Sequence, residues 1–257
     1  MILSRRVSLG GVQLDEIHES VVIRSFDPGT ASENITAVDR MGGSGQRITG
    51  RHRSTLEATL VFAINIPKRE LALRRQVFEA VTAWALKKGW LKVNYLDNRR
   101  MYVDAVVIPS GGDMWEWTGE YTITFKAYNV PFWQDELPAQ AVSGQASSGT
   151  VYVDVGGNVQ SVMDASFRNR SGMTINSLAV TAGGNRIQLS NLGLGGSGTL
   201  AISHGTDGLL RIKIGSTSVY EKYTGADDLY VNPGRVAVSW TADRAGILTA
   251  QSFGRWI

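Results

Sequence analysis

Two stretches of the chain alternate apolar and polar residues with a period of two, and between them the period lengthens. Leu56, Ala58, Leu60, Phe62 and Ile64 alternate with Thr55, Glu57 and Thr59, and Tyr121, Ile123, Phe125 and Ala127 alternate with Glu120, Thr122, Thr124 and Lys126. Each pattern predicts a strand with one buried face. From Pro67 onward, Leu73, Val77, Ala80, Val81 and Trp84 fall on one stripe at helical spacing, opposite Lys68, Arg75 and Glu79. The spacing predicts one amphipathic helix over about 68–88, with Pro67 at its start and Lys87, Lys88 and Gly89 at its end. Leu91, Val93 and Tyr95 then alternate with Lys92 and Asn94, and Asp97-Asn98 turns the chain into a strand over Met101–Ile108. Val7–Leu14 and Val21–Ile23 supply further strands, so residues 1–137 read as a sheet carrying one helix.

The composition changes after Leu137. Pro138 is followed by small and polar residues ending in Ser143-Gly144-Gln145-Ala146-Ser147-Ser148-Gly149, which predicts a linker over 138–149. Residues 150–257 then show short strands separated by glycine turns: Val151–Val155, Leu178–Thr181, Ile187–Leu189, Leu200–Ser203, Leu209–Ile214, Val236–Trp240 and Leu248–Phe253. Gly183-Gly184-Asn185 and Asn232-Pro233-Gly234 have turn chemistry at the right places. The expected fold class is mainly β: an α+β N-terminal domain over 1–137, the linker, and a C-terminal β-sandwich over 150–257.

Composition excludes several chemistries. The chain has 257 residues and no cysteine, which removes disulfides, thiolate nucleophiles and cysteine-ligated zinc, so stability rests on packed cores. Its net charge of +3 is spread, +1 over residues 1–137 and +2 over 138–257, without an RNA-binding signature or a helix-turn-helix pattern. Specific nucleic-acid binding, which needs clustered cations, is not expected. The first residues lack the apolar core of a signal peptide, and no apolar run approaches the roughly 20 residues of a membrane-spanning helix. Neither export by that route nor a membrane location is expected.

The candidate motifs weaken in context. Gly193-Leu194-Gly195-Gly196-Ser197-Gly198 matches a dinucleotide fingerprint, but Thr199-Leu200-Ala201-Ile202-Ser203 after it is strand-like where a helix must begin. His18, His52 and His204 lie far apart with no zinc spacing. Asp135-Glu136 and Asp227-Asp228 are adjacent acids, which rarely flank a glycosidic bond; they read as solvated turn residues or, alternatively, calcium ligands. No metal, cofactor or catalytic residue is expected, and the chain reads as a non-enzyme.

Interaction surfaces are better represented. Met41-Gly42-Gly43-Ser44-Gly45, followed by Arg47, Arg51, His52 and Arg53, reads either as a long loop ordered by neighbouring subunits or as a plain hairpin tip. Trp115 and Trp117 share a face in an extended segment and serve either the core or a subunit interface. Trp84 belongs to the helix stripe, while Trp240 and Trp256 are expected to pack in the second domain. Tyr220, Tyr223 and Tyr230 are candidates for stacking on sugar rings.

Leu71-Ala72-Leu73-Arg74-Arg75 to Trp84, Gly89-Trp90-Leu91, Met101-Tyr102-Val103, Trp117-Thr118-Gly119-Glu120-Tyr121-Thr122-Ile123-Thr124-Phe125 and Val130-Pro131-Phe132-Trp133 form a succession of short motifs. In this order they resemble the Dit-like distal tail proteins, a siphovirus tail component family of long-tailed bacteriophages and prophages. The resemblance covers most of residues 1–137, and the close of the chain, Leu229–Gly234 through Gly254–Ile257, is similar to that family's C-terminal β domain. It implies an N-terminal split β-barrel with one packed helix, forming a ring, usually a hexamer, at the tail tip. A galectin-like or carbohydrate-binding-module-like sandwich would follow. It further implies a virion protein, made in the host bacterial cytoplasm, that joins the tail tube protein to the tail hub or tail-associated lysin. The second domain would carry a receptor-binding protein or contact host polysaccharide. On that view Arg47, Arg51, Arg53, Trp115 and Trp117 are subunit-interface candidates and Tyr220, Tyr223 and Tyr230 glycan-contact candidates. The alternative expectation is a carbohydrate-binding adsorption protein.

Overall fold

The computed structural model describes residues 6–39, 46–108 and 120–257. The chain forms two compact units, Met1–Trp133 and Gln134–Ile257. Strands dominate both, and among the described residues a single α-helix lies in the first.

The first unit contains β1 (Val7–Leu9), β2 (Val12–Gln13), β3 (Val21–Asp27), β4 (Glu33–Asp39), β5 (Gln46–Arg53), β6 (Leu56–Ile64), α1 (Leu71–Leu86), β7 (Gly89–Val93), β8 (Arg99–Val103), β9 (Ala105–Val107) and β10 (Glu120–Ala127). One antiparallel sheet runs β2-β1-β7-β8 and a second runs β3-β6-β10-β9. The two cleanest alternating segments, β6 and β10, are neighbours in register, with Leu60 opposite Ile123 and Phe62 opposite Tyr121. Leu56, Ala58, Leu60, Phe62, Ile123, Phe125 and Ala127 are fully buried. Each such large apolar side chain contributes roughly 1.5–3 kcal/mol by leaving water.

α1 is shorter than expected, since a 3₁₀ turn occupies Lys68–Glu70 and the helix proper begins at Leu71. Its buried residues are Arg74, Val77, Val81, Trp84 and Ala85, whereas Leu73 and Ala80 are exposed. The buried stripe is thus rotated from the one read off apolar residues alone, because Arg74 turns inward and donates to the Ile66 carbonyl. Lys88 takes the left-handed conformation that stops the helix, with φ 58°, and Gly89 instead opens β7. The single strand expected over Met101–Ile108 is two, broken at Asp104. β8 pairs in one sheet and β9 in the other. Asp104 is held at the break, its carboxylate accepting from the backbone nitrogens of Tyr128 and Asn129 and from Asn129 Nδ2.

A short strand, β11 (Trp133–Asp135), carries the chain from one unit to the other. The second unit contains β12 (Ala139–Val142), β13 (Ala146–Val155), β14 (Ser161–Val162), β15 (Asp164–Asn169), β16 (Ile175–Ala182), β17 (Asn185–Leu194), β18 (Thr199–His204), β19 (Leu210–Ile214), β20 (Thr217–Ser218), β21 (Tyr223–Gly225), β22 (Tyr230–Val231), β23 (Gly234–Ser252) and β24 (Arg255–Trp256). β12 and β13 occupy the segment expected to be a linker. Their backbones pair with β23, and Ala139, Ala141 and Ala146 pack against the core. Small side chains that carry little apolar signal are sufficient there because the ladder supplies the order.

β23 organises this unit. The two strands expected at Val236–Trp240 and Leu248–Phe253 are one strand of 19 residues. Its first half lies between β13 and β16, and its second half lies between β12 and β15. The sheet, in the order β20-β19-β18-β15-β23-β16-β17-β21, therefore folds over along one continuous strand. Phe167, Leu200, Ile202 and Leu248 from one half and Val153, Val180, Ile187 and Val238 from the other enclose one core. Gly183 and Gly184, with φ 55° and 83°, form the two-residue turn between β16 and β17 that the glycine pair predicts.

Candidate functional site

In the first unit the conspicuous interaction element is the hairpin β4–β5. Among the described residues it pairs only with itself and joins neither sheet. Residues 46–53, expected as part of a loop, form its returning strand. Arg47 lies opposite Val38, Arg51 opposite Ile35 and Arg53 opposite Glu33, with a bulge between the first pair and the others. Ile35 and Val38 are exposed at 52% and 49%. Apolar side chains on a two-stranded hairpin with open backbone edges make a surface suited to a further protein partner. The Arg53 guanidinium lies 5.7 Å from the centroid of the Phe132 ring, a contact that fixes the base of the hairpin rather than its outer end. Trp115 and Trp117, and the glycine-rich tip Met41–Gly45, lie outside the described residues.

In the second unit a buried polar cluster joins residues that the sequence holds far apart. His204, at the end of β18, has Nδ1 2.6 Å from Asp164 Oδ1 and Nε2 2.6 Å from Asp228 Oδ1. Asp164 opens β15, next to β18 in the sheet, while Asp228 comes from the segment before β22. The three side chains are 7%, 15% and 16% exposed. Burial opposes a charge on His204, but the hydrogen bonds to Asp164 and Asp228 and their negative charges outweigh it and raise its pKa. Arg255 is partly buried, which lowers its pKa against the opposing pull of Tyr230, Asp228 and Asp164. Asp228, expected as a solvated turn residue or calcium ligand, is instead a hydrogen-bond acceptor for His204. Among the described residues no group of three or more His, Asp or Glu is arranged to hold a metal ion.

Of the three candidate tyrosines, Tyr223 and Tyr230 border this cluster, and Tyr220 packs against Tyr223. Tyr220 and Tyr223 have ring centroids 5.2 Å apart at a tilted angle, and the Tyr223 hydroxyl donates to the Ala226 carbonyl. Burial, with Tyr220, Asp227 and Asp228 nearby, raises the Tyr223 pKa. Tyr230 on β22 is raised by burial and by its hydrogen bond to Asp228. Tyr220 and Tyr230 remain exposed. A shallow hollow of about 390 Å³ lies where the Gly183-Gly184 turn meets Asn232-Pro233, with Arg235 on its wall. Arg235 also sits 4.6 Å over the Tyr152 ring. The glycine-rich segment Gly193–Gly198 runs from β17 into strand β18, the strand expected after it in place of a helix.

Sequence reasoning missed the His204 cluster because each member sits in a different local pattern. Asp135 offers a second such case: its Oδ1 accepts from Trp256 Nε1 at 2.7 Å, joining the start and the end of the second unit.

No protein-family model and no curated protein matches this sequence. Among solved structures, the chain is similar to the crystal structure of the SPP1 Dit protein (gp 19.1), described as a paradigm of the hub adsorption apparatus in phages infecting Gram-positive bacteria. The TM-score is 0.66 at 11% identity, covering 98% of this chain and 99% of that one. Chains of the phage p2 baseplate in its activated conformation, with strontium and with calcium, align at TM-scores of 0.44 and 0.43 and 8% identity. They cover 96% of this chain and 97% and 98% of theirs, but are too distant to bear on the argument. The likeness to SPP1 Dit spans both units, and over its whole length this chain has the fold of a phage Dit protein.

Proposed function

We propose that this chain is a distal tail protein of a long-tailed phage or prophage, a structural virion component without catalytic function. The observation that carries this reading is the end-to-end fold match to SPP1 Dit, both units in the same order. In this reading the first unit assembles copies into a closed ring, a hexamer, joining the tail tube protein to the tail hub or its associated lysin. A repeated head-to-tail contact closes when its rotation fits. The β4–β5 hairpin, self-paired and carrying exposed Ile35 and Val38, supports that role as the element reaching a neighbouring copy. The second unit presents a peripheral surface for a receptor-binding protein or a host polysaccharide.

Native mass spectrometry of the purified chain, with electron microscopy of the same sample, tests the ring. The expected result is a hexamer with a central opening; a strictly monomeric protein absent from phage particles would overturn the proposal. Exposed Tyr230 beside the acidic pair Asp227-Asp228, and exposed Tyr220 against the Tyr223 ring, favour a second reading, a carbohydrate-binding adsorption protein. A glycan array would then give a signal that is lost on Tyr220→Ala or Tyr230→Ala, and a blank array would leave assembly as this unit's role.

A further inference from the structure

We propose that Asp164, His204 and Asp228 form a protonation-controlled fastener, which holds the segment Asp227–Val231 against β15 and β18 while the imidazole carries its second proton. The geometry requires that proton. A neutral imidazole has one N–H and one lone pair, so it can donate to only one of two carboxylates. Both ring nitrogens of His204 lie 2.6 Å from carboxylate oxygens, and with 7% of the side chain exposed, little room remains for water to replace either bond. Loss of the proton turns one attraction into a lone pair facing an anionic oxygen.

The segment's other attachments are a short ladder, hydrogen bonds from its carbonyls and the core side chains of Leu229 and Val231, which is 1% exposed. β22 pairs with β14 through two residues only, Val231 with Ser161 and Tyr230 with Val162. The Leu229 carbonyl accepts from the Met163 nitrogen at 2.9 Å, and the Tyr230 carbonyl accepts from Asn185 Nδ2 at 3.2 Å. Leu229 is fully buried. A strand this short has little stability of its own, so the state of Asp228 governs how firmly it is held.

Every titratable or charged group near the imidazole bears on the sign. Asp164 and Asp228 favour the cation, and partly buried Arg255 interacts with both carboxylates. The Tyr230 hydroxyl bonds to Asp228, next to Asp227. In the turn after β18, Asp207 and Arg211 neutralise each other at 2.6 Å. Leu210 of β19 lies opposite His204 and Gln251 of β23 opposite Asp164, and neither titrates. With His204 and Arg255 cationic, the charges of these four groups cancel, and deprotonation leaves an excess of one negative charge. Because the folded pKa lies above the ordinary value of 6.5, the fastening is complete below that pH and is lost as pH rises through the folded value.

The test is an NMR titration of the imidazoles of the full chain, with His204→Gln to assign the resonance among His18, His52 and His204, and amide exchange measured in parallel. The expected result is a His204 resonance titrating above 6.5 with both nitrogens protonated at low pH. After correction for intrinsic rates, amides of Leu229–Val231 should lose protection by about tenfold or more on deprotonation. Asp228→Asn should lower the His204 pKa and flatten the pH dependence of exchange, and it also provides the assignment if His204→Gln does not fold. An imidazole titrating at or below 6.5, or exchange unchanged across its titration, would overturn the proposal. Neither outcome depends on whether the protein forms a ring.

Discussion

Asn169 is fully buried, and its Nδ2 approaches the carbonyls of Met173, Leu194 and Gly195 at 2.7, 3.0 and 2.9 Å. Its Oδ1 accepts from the backbone nitrogen and the hydroxyl of Ser171. One amide thus ties the turn after β15 to the end of β17. Asn169→Ala removes the amide's hydrogen bonds from a fully buried site, although Gly195 and Met173 keep donors in the Gly198 nitrogen and the Ser171 hydroxyl, and is expected to cost about 2–4 kcal/mol of unfolding free energy, read by urea denaturation. Asn169→Asp should be worse near neutral pH, since a carboxylate would face three carbonyls, and should partly recover in acid. Asp104→Ala removes three hydrogen bonds at the crossing between sheets. Because that site is partly exposed, a smaller loss of about 1–2 kcal/mol in the same assay is expected.

β23 shows how an element can be legible in pieces and still be misread as a whole. Its two apolar stretches announce themselves as strands, but the intervening Ala242-Asp243-Arg244-Ala245-Gly246 looks like a connection. The backbone continues through it because each half finds neighbours on both edges. Gly246 makes the passage possible. A Cβ there would sit 2.4 Å from Phe167 Cζ and 2.7 Å from the Arg168 carbonyl oxygen. Phe167 is fully buried and has little room to yield, so Gly246→Ala is expected to cost about 1–3 kcal/mol by overpacking, seen as a lowered melting temperature in calorimetry. In the helix, position follows from periodicity, while rotation follows from Arg74, a charged residue that joins the buried face. The carbonyl of Ile66 supplies the partner that lets the guanidinium turn inward.

For the molecule as a whole, the division into two units has a consequence for where the chain can be cut. A fragment beginning at Thr150 lacks β12 and the first residues of β13, which cover one edge of β23. An uncovered strand edge invites intermolecular pairing. We expect residues 134–257 to express as a folded monomer by size-exclusion chromatography and circular dichroism, and residues 150–257 to aggregate. Equal behaviour of the two fragments would restore 138–149 as a linker.

The amino-acid pattern alone determined that the protein is built mainly of strands with one helix, which residues of β6 and β10 face inward, and where the glycine turns fall. Those properties are local: side chains alternate across a strand, and glycine is the residue that tolerates positive φ. It also supplied the distal-tail resemblance, with which the observed fold agrees. Tertiary structure decided the rest. Strand order, the fold-over along β23, the strand character of 139–155 and the self-paired β4–β5 hairpin depend on which edges meet. The meeting of Asp164, His204 and Asp228 depends on three segments brought together across the sheet. Such contacts join residues tens of positions apart, and nothing in the neighbourhood of any one of them marks its partner.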